Sequence, residues 1–587
     1  ARGPGLLVAD NCEHVVPVVA KLLGDLLDRS PEARVLVTSR VPLGVPGELL
    51  VDVPPLSVDD TDSPGARLFL ERAADVTAVG RWGEPERRDA FAVSELLDGL
   101  PLAIELTARR LRYVSVGSLR TELEDGNAGS PLADALDRSV RTLSDDARRA
   151  FARLSALRGP VPADVASAVA GGPGPLGELV DNSLVVSYAG WYRMFEPVRR
   201  FAQVALDEQT RADAAELAAE EITRFVERAA PRLVGVDEVR WIEDLTRLRA
   251  DVRGVLEWAV ARGDDSLLAR LAAAVGYLWL LGWGVREGDP WLERAMVAAS
   301  GRPQEAQILV WASLTALRQG ELAEARSRGL RAVALARGTG DDRVLGAGLH
   351  AAAMPDKYGP GQDTARLLLR EAVAVRRRCG DPAGAAMSLG AIADIDVNAG
   401  RLAEAAAGYE IGLPLMRSSG SPRGLVAYLH SMAEMEVLRD NPKGAEALAA
   451  EAAPLAVLTG DVWHVAQLKV VLLIAARDRS LPYEQCREIA RAGLTAALVQ
   501  TDPVVVLDMV DEIAGMLLDA GEAPAAWRLL HASREIRDAL QLHMSLPRQA
   551  RRDRDEALAT GAAGPAVGVV PPADLGWLCS AAEYAVS

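Results

Sequence analysis

The sequence predicts a mostly α fold in three parts: a partial α/β module at the N-terminal end, a winged helix, and an α-solenoid of helical hairpins. Three observations carry this. Two short apolar runs, Leu6-Leu7-Val8-Ala9 and Val35-Leu36-Val37, flank one helix-sized segment and each ends in polar residues, as buried parallel strands do. Glycines at Gly340, Gly380, Gly420 and Gly460 recur every 40 residues, the mark of stacked repeats. Aromatics form only 4% of the chain while Ala, Leu, Val and Arg are abundant, which favours an aliphatic, helical core.

The first run delivers Asp10 and Asn11, and the second Thr38, Ser39 and Arg40, to the carboxyl edge of a sheet, where α/β proteins bind ligands. An Asp there can hold Mg²⁺ through water, and an Arg can meet a terminal phosphate. The pair reads as half of a nucleotide site. The other half, a G-x-x-x-x-G-K-[ST] loop, occurs nowhere in the 587 residues, and Lys21, Lys357, Lys443 and Lys469 follow no glycine-rich loop. Cys12 to Leu27 has helical spacing and stops near Asp28-Arg29-Ser30-Pro31. A third short strand is expected from Leu49 to Val53, before the Pro54-Pro55 break. Ser63 to Ala78 and Glu84 to Leu97 read as amphipathic helices. Gly99-Leu100-Pro101 then ends one helix and starts the next, Pro101 suiting a first turn.

Ser144 is placed to cap a helix over Ala147 to Leu157, Ala163 to Ala170 and Pro175 to Asn182 read as short helices, and Leu184 to Tyr188 pairs with Trp191 to Phe195 around Ala189-Gly190. Three helices and a hairpin make a winged helix. No Lys or Arg falls between Arg158 and Arg193, and the would-be recognition helix carries Glu178 and Asp181, so packing rather than groove reading is expected. Trp241 to Trp258 reads as one amphipathic helix. In the periodic region a second set of turns, at Gly320, Gly361, Gly400, Asp440-Asn441, Ser480 and Gly521, splits each repeat into two helices. Trp279, Trp283, Trp291 and Trp311 are expected to pack the first repeats. Arg548 to Arg554 reads as a solvated helix, and Thr560 to Gly576 as a linker.

A net charge of −17 disfavours general nucleic-acid binding, and Cys12, Cys379, Cys486 and Cys579 form no metal or redox spacing. The apolar run Leu271 to Val285 is about 15 residues, short for a bilayer, so a buried helix is expected. No secretory signal is visible, and a reduced, cytoplasmic protein is the simple reading.

The order LLVADNCEH, VLVTSRVPLGVPGE and LDGLPLAIELTARRLR resembles the NB-ARC (STAND-class) ATPase module of large bacterial transcriptional regulators, the SARP antibiotic regulators and large LuxR-type regulators among them. The resemblance implies that Asp10 is the Walker B aspartate holding Mg through water, that Arg40 senses the γ-phosphate, and that Pro101 touches adenine, with Asn11, Thr38 and Ser39 beside them. Asn11 stands where many such ATPases carry a second acid, and an amide is a poor general base, so no catalytic residue is assigned. Met194-Phe195-Glu196-Pro197-Val198-Arg199 resembles the M-x-E-x-x-R switch motif, with Phe195 in place of the phosphate-touching His. The 40-residue repeat resembles the longer tetratricopeptide-like repeats of the same regulators.

These readings divide the chain into 1–60 (partial ATPase core), 61–136 (helical NB-ARC subdomain), 137–206 (winged helix), 207–556 (tetratricopeptide-like superhelix) and 557–587 (linker-like tail). The expected cofactors are ATP or ADP with Mg in the intact family, bound weakly or not at all without a phosphate loop, leaving at most a weak ATPase. The expected function is that of a signal-transducing fragment of a transcriptional regulator, without its own DNA-binding domain. The alternative is a stand-alone interaction scaffold with a degenerate nucleotide site. The expected partner is a protein or peptide on the superhelix, with self-association possible, and neither nucleic acid nor membrane is expected to bind directly.

Overall fold

The computed structural model describes the chain apart from residues 1–5, 11, 13–14, 31–32, 40–42, 52, 54, 78–81, 98, 125–135, 138, 183, 205, 500–502, 541, 543, 545, 564–574 and 587, and apart from the side chains of 29, 102, 196, 197, 546, 563 and 577. It divides into two compact units, Ala1–Leu143 with Asp181–Leu184, and Ser144–Val180 with Val185–Ser587.

In the first unit, β1 (Leu6–Ala9) and β2 (Arg34–Val37) pair in parallel from Leu6 opposite Arg34 to Ala9 opposite Val37, joined by α1 (Val16–Arg29). One face is closed by α1, where Cys12, Leu23 and Leu43 gather Val16, Val19, Val35 and Val37 into a small core. The other face is bare: Leu6, Val8 and Leu36 are 55–66% exposed. Parallel sheets are normally covered on both faces. The expected third strand does not form. Leu49, Leu50, Val51 and Val53 join no ladder and stand 60–91% exposed, although the β1-β2 sheet has no further strand on either edge among the described residues.

The helices α2 (Pro64–Ala74), α3 (Glu84–Leu96), α4 (Pro101–Ala108) and α5 (Val116–Glu124) bury a second core around Phe69, Val93, Leu97, Ile104 and Leu119. Ser63 caps α2 by accepting the Ala66 N–H. Pro101 opens α4, as expected. The turn before it requires glycine: Gly99 has φ +64°, its carbonyl accepts the Leu56 N–H at 2.9 Å, and a Cβ there would lie 2.0 Å from the Leu56 carbonyl oxygen.

The second unit opens with α6 (Asp145–Leu154), β3 (Val161–Pro162), α7 (Ala163–Ala170), α8 (Pro173–Asp181), β4 (Val186–Tyr188) and β5 (Trp191–Arg193). The strands form an antiparallel sheet in the order β3-β5-β4; the two-residue β3 has no period to betray it in the sequence. Then follow α9 (Glu196–Val204), α10 (Glu208–Ala229), α11 (Glu238–Arg247) and α12 (Arg249–Arg262). The single helix expected over Trp241 to Trp258 is thus two, parted at the fully buried Leu248. The break turns the buried Asp251 toward the loop after α6, where its carboxylate accepts the N–H groups of Arg158 (2.6 Å) and Gly159 (3.0 Å). Next, α13 (Asp265–Leu278) runs into a π-turn, Trp279–Trp283, before α14 (Val285–Ala298). Trp279 and Trp283 are buried as packing, and Trp311 donates its Nε1–H to the Ala273 carbonyl. Asp265–Trp283 is the one stretch among the described residues long and apolar enough to cross a membrane, and 56% of its apolar window is buried within the protein.

Six hairpins follow among the described residues: α15 (Glu305–Arg318) with α16 (Leu322–Thr339), α17 (Asp342–Ala353) with α18 (Gln362–Arg378), α19 (Pro382–Asn398) with α20 (Leu402–Ser419), α21 (Pro422–Leu438) with α22 (Pro442–Leu458), α23 (Val462–Asp478) with α24 (Tyr483–Val499), and α25 (Pro503–Asp519) with α26 (Ala523–Ala539). The 40-residue period is a turn device. Gly340, Gly380, Gly420 and Gly460 take left-handed φ of +62° to +73°. Each is followed by an N-cap, Asp341, Asp381, Ser421 or Asp461, whose side chain accepts the N–H of Val344, Gly384, Gly424 or His464. One residue closes a helix and the next opens another. Each hairpin's first helix also touches the first helix of its neighbours, so these helices form the inner layer of the stack.

Two more helices, α27 (Leu546–Ala563) and α28 (Leu575–Val586), close the array. This corrects two expectations. Arg548 to Arg554 is no solvated helix, and the tail at 557–587 is no mere linker, since Ala559, Leu578, Ala582 and Val586 are buried in the core of α23 to α26. The chain around Thr560 to Gly576 lies partly outside the described residues.

Candidate functional site

At the carboxyl ends of β1 and β2 the backbone brings Asp10 and Thr38 together. The Thr38 N–H donates to the Ala9 carbonyl (2.9 Å) and the Cys12 N–H to the Thr38 carbonyl (3.0 Å), which locks the two strand ends in step. The Thr38 hydroxyl donates to the Asp10 carboxylate, and both side chains are exposed. Ser39 follows half-buried. Asn11 and Arg40 lie outside the described residues, as do Glu13 and His14. Pro101 is exposed on the first turn of α4, in the separate core around Phe69. The edge therefore offers an oriented carboxylate and hydroxyl, a donor set suited to a hydrated hard cation. The chain's lysines supply no phosphate loop to go with it.

Met194 to Arg199 belongs to the second unit. Met194 is buried, and Phe195 sits half-buried with the Arg193 guanidinium 5.5 Å from its ring centroid. The Arg199 N–H donates to the Phe195 carbonyl at 2.9 Å in the first turn of α9, while the Glu196 side chain lies outside the described residues. Arg199 also bears on Asp251: burial raises that carboxyl's pKa, opposed by the N–H groups of Arg158 and Gly159 and by the charges of Arg158 and Arg199.

A second site emerges on the inner layer, unsuspected from sequence. A cavity of about 560 Å³ opens between α19, α21 and α23 on one side and α27 on the other. Asp394 on its floor accepts from both Lys357 and the Tyr409 hydroxyl. Burial pushes the Lys357 pKa down, but the Asp394 charge outweighs it, and the net shift is upward. Burial and then Asp394 push the Tyr409 pKa well up. The roof is the arginine face of α27. Arg548 pairs with Asp508 (2.5 Å) and Glu434, and Arg551 with Asp478 (3.0 Å) and Glu512 (3.4 Å). Beside them Arg477, 4% exposed, holds Glu512, Asp519 and Asp555, and Arg537 holds Asp508 and Asp511. The signal available in the sequence was Arg548, Arg551, Arg552 and Asp555 on one helical face, but their partners lie up to 114 residues away.

The class that the fold defines is a helical-repeat protein carrying a small α/β module. No protein-family model matches the chain. By sequence it is similar to "Putative HTH-type transcriptional regulator Rv0890c" of Mycobacterium tuberculosis, 28% identical over 400 residues, which cover 60% of this chain and 43% of that protein. It is also similar to "Uncharacterized protein Rv0894" of the same organism, 33% identical over 235 residues, covering 36% of this chain and 59% of that protein. The match thus spans less than half the length of the first relative. Among solved structures, the STAND protein with a tetratricopeptide repeat sensor, PH0952 from Pyrococcus horikoshii, gives a TM-score of 0.48 at 12% identity over 94% of this chain and 80% of that one. The apo form of the quorum sensor NprR from B. thuringiensis gives 0.36 at 13% identity over 59% of this chain and 99% of that one. Both likenesses are too distant to add to what the coordinates give.

Proposed function

We propose that the chain is the signal-transducing part of a bacterial transcriptional regulator, in which a nucleotide-dependent switch module is coupled to a helical-repeat sensor. The observation that carries this is the Asp10–Thr38 pair at the ends of two parallel strands whose outer face is open. The similarity to an HTH-type regulator over 400 residues supports the same reading. Asp10 and Thr38 fit the metal end of MgATP or MgADP, and Asn11, Ser39, Arg40 and Pro101 are assigned to the same nucleotide by their places in the motifs, Arg40 to the terminal phosphate; with no phosphate loop among these 587 residues, binding is weak or absent as the chain stands. The β3-β5-β4 unit is read as a winged helix that packs, with Met194, Phe195, Glu196 and Arg199 as its switch motif. The repeat array receives a protein or peptide, in the cytoplasm. In such a switch, nucleotide exchange and partner binding each bias one equilibrium between closed and open forms.

The test is the DNA upstream of Ala1. An in-frame G-x-x-x-x-G-K-[ST] some tens of residues before Leu6 is expected; an in-frame stop codon there sinks the switch. A complementary titration of this chain with MgATP is expected to show no micromolar binding, and Asp10→Ala no further loss. A second reading, a scaffold with a decayed site, is supported by Asn11 standing where related ATPases carry a second acid, and the same upstream sequence decides between the two.

A further inference from the structure

We propose that α11 is a strut that couples the repeat array to the β3-β5-β4 part, with the Glu238 carboxylate as a releasable latch at its array end. This coupling goes beyond the nucleotide switch and operates without it. The latch joins segments 183 residues apart. Glu238 opens α11 and is only 1% exposed, yet its carboxylate is answered by a turn of the array: the Ser421 hydroxyl donates to Oε2 at 2.6 Å and the Arg423 N–H to Oε1 at 2.7 Å. The Gly235 N–H adds a third bond, to Oε2 at 3.2 Å. Ser421 is also the N-cap of α21, so Glu238 sits at the positive end of a 17-residue helix. Beside it Val236 lies over Gly420, where a Cβ would come 2.4 Å from a Val236 methyl. The array side is itself braced, since Arg423 reaches the next turn through the Thr459 carbonyl (2.7 Å) and Asp461 (3.3 Å). All three donors to Glu238 are neutral dipoles that water replaces when the surfaces part. A contact of that kind opens reversibly.

The far end of α11 is held by the other part. The Arg247 guanidinium lies 5.2 Å from the ring centroid of Trp191 in β5. Immediately beyond, on α12, Asp251 accepts the N–H groups of Arg158 and Gly159, and Glu257 pairs with the Arg158 guanidinium at 2.9 Å. A helix of ten residues is about 15 Å long, and its hydrogen-bonded backbone does not compress. Clamped at Ser421 and at Trp191, it passes any displacement of the fourth hairpin to β5 and to the loop after α6. On the reading of the array as a receiver, a partner that changes the curvature of the hairpins therefore acts on the β3-β5-β4 part through α11.

The experiment is hydrogen exchange on the full chain, without nucleotide, read by mass spectrometry at peptides covering Arg423–Gly424 and Arg158–Gly159. Glu238→Ala is expected to quicken exchange roughly tenfold at both places and to leave α25 and α26 unchanged. Should that variant fail to fold, a matched glycine pair carries the test. Gly420 and Gly380 hold the same left-handed turn, φ +69° and +72°, but Gly380 has open space where Gly420 has Val236. Gly420→Ala is expected to quicken exchange at Arg158 and Gly159, and Gly380→Ala to leave it unchanged. Quickening at Arg423 alone, equal effects of the two glycine variants, or faster exchange throughout the array would each mean plain packing and overturn the proposal, as would unchanged exchange at both ends. None of these outcomes touches the upstream-sequence test, so the strut and the switch can fail separately.

Discussion

At the scale of single residues, the structure hangs on polar groups whose partners are fixed by burial. Asp251 satisfies two loop N–H groups from inside α12. Asp251→Ala is expected to cost roughly 2–3 kcal/mol, because both donors lose their acceptor in a buried place; equal denaturation midpoints for variant and parent would refute it. The turns give a backbone test. Ser480 holds φ +51° where the sister turns have Gly320, Gly400, Asp440 and Gly521, and Gly460 holds φ +62° with open space about it. Ser480→Gly is expected to stabilise by about 0.5–1 kcal/mol and Gly460→Ala to destabilise by about 1 kcal/mol, both read by urea unfolding. His430 sets a pH dependence. Burial, then the charges of His464 and Arg548, lower its pKa from 6.5 to about 4, against the pull of Glu434 and Asp394. Below about pH 6.5 the unfolded chain takes up a proton that the folded one refuses, so stability falls from pH 6.5 toward pH 4, by about 3 kcal/mol from this group. His350, half-buried and with its pKa lowered in the same sense by desolvation, adds to it. The His430→Gln variant is expected to lose fewer degrees of melting temperature between pH 7 and pH 4.5 than the parent; identical slopes would rule His430 out.

Among elements, α27 is the one whose role changes most between sequence and structure. Its arginines read as a solvated face and prove to be the hub for acids on α21, α23 and α25. Breaking such a network from one side is costly, since the carboxylates left behind stay buried. Arg548→Leu takes its arginine from the half-buried Glu434 and leaves the buried Asp508 with Arg537 and Gln467, and a loss of about 1–3 kcal/mol is expected. Hydrogen exchange should quicken in α25 to α27 and not in α15 to α18; uniform protection would mean that the network contributes little. The β1–β2 pair is the opposite case. Two short parallel strands with one apolar face open are marginal by themselves. Their amides are expected to exchange faster than those of α19 and α23, and protection equal to the array would contradict this.

On the scale of the whole molecule, two units with separate cores predict more than one unfolding step. Calorimetry is expected to resolve a transition of the first unit from that of the repeat array, whose hairpins add neighbour by neighbour; a single sharp two-state transition would count against it. Much of this organisation was legible. The glycine-then-cap pairs at Gly380-Asp381 and Gly460-Asp461, the Pro101 start of α4 and the strand ends at Asp10 and Thr38 are written in adjacent residues, because caps, left-handed turns and strand alternation are interactions over one to four positions. The failed third strand at Leu49 to Val53, the break at Leu248 and the buried face of α27 were not, since each depends on whether a distant segment arrives to pair or to pack. By itself the sequence determined where the repeat turns fall and that Asp10 and Thr38 reach the strand edge. The tertiary structure alone decided which charges are buried, where the cavity lies and what closes it, because burial is a property of neighbours far apart in the chain, and no local pattern encodes them.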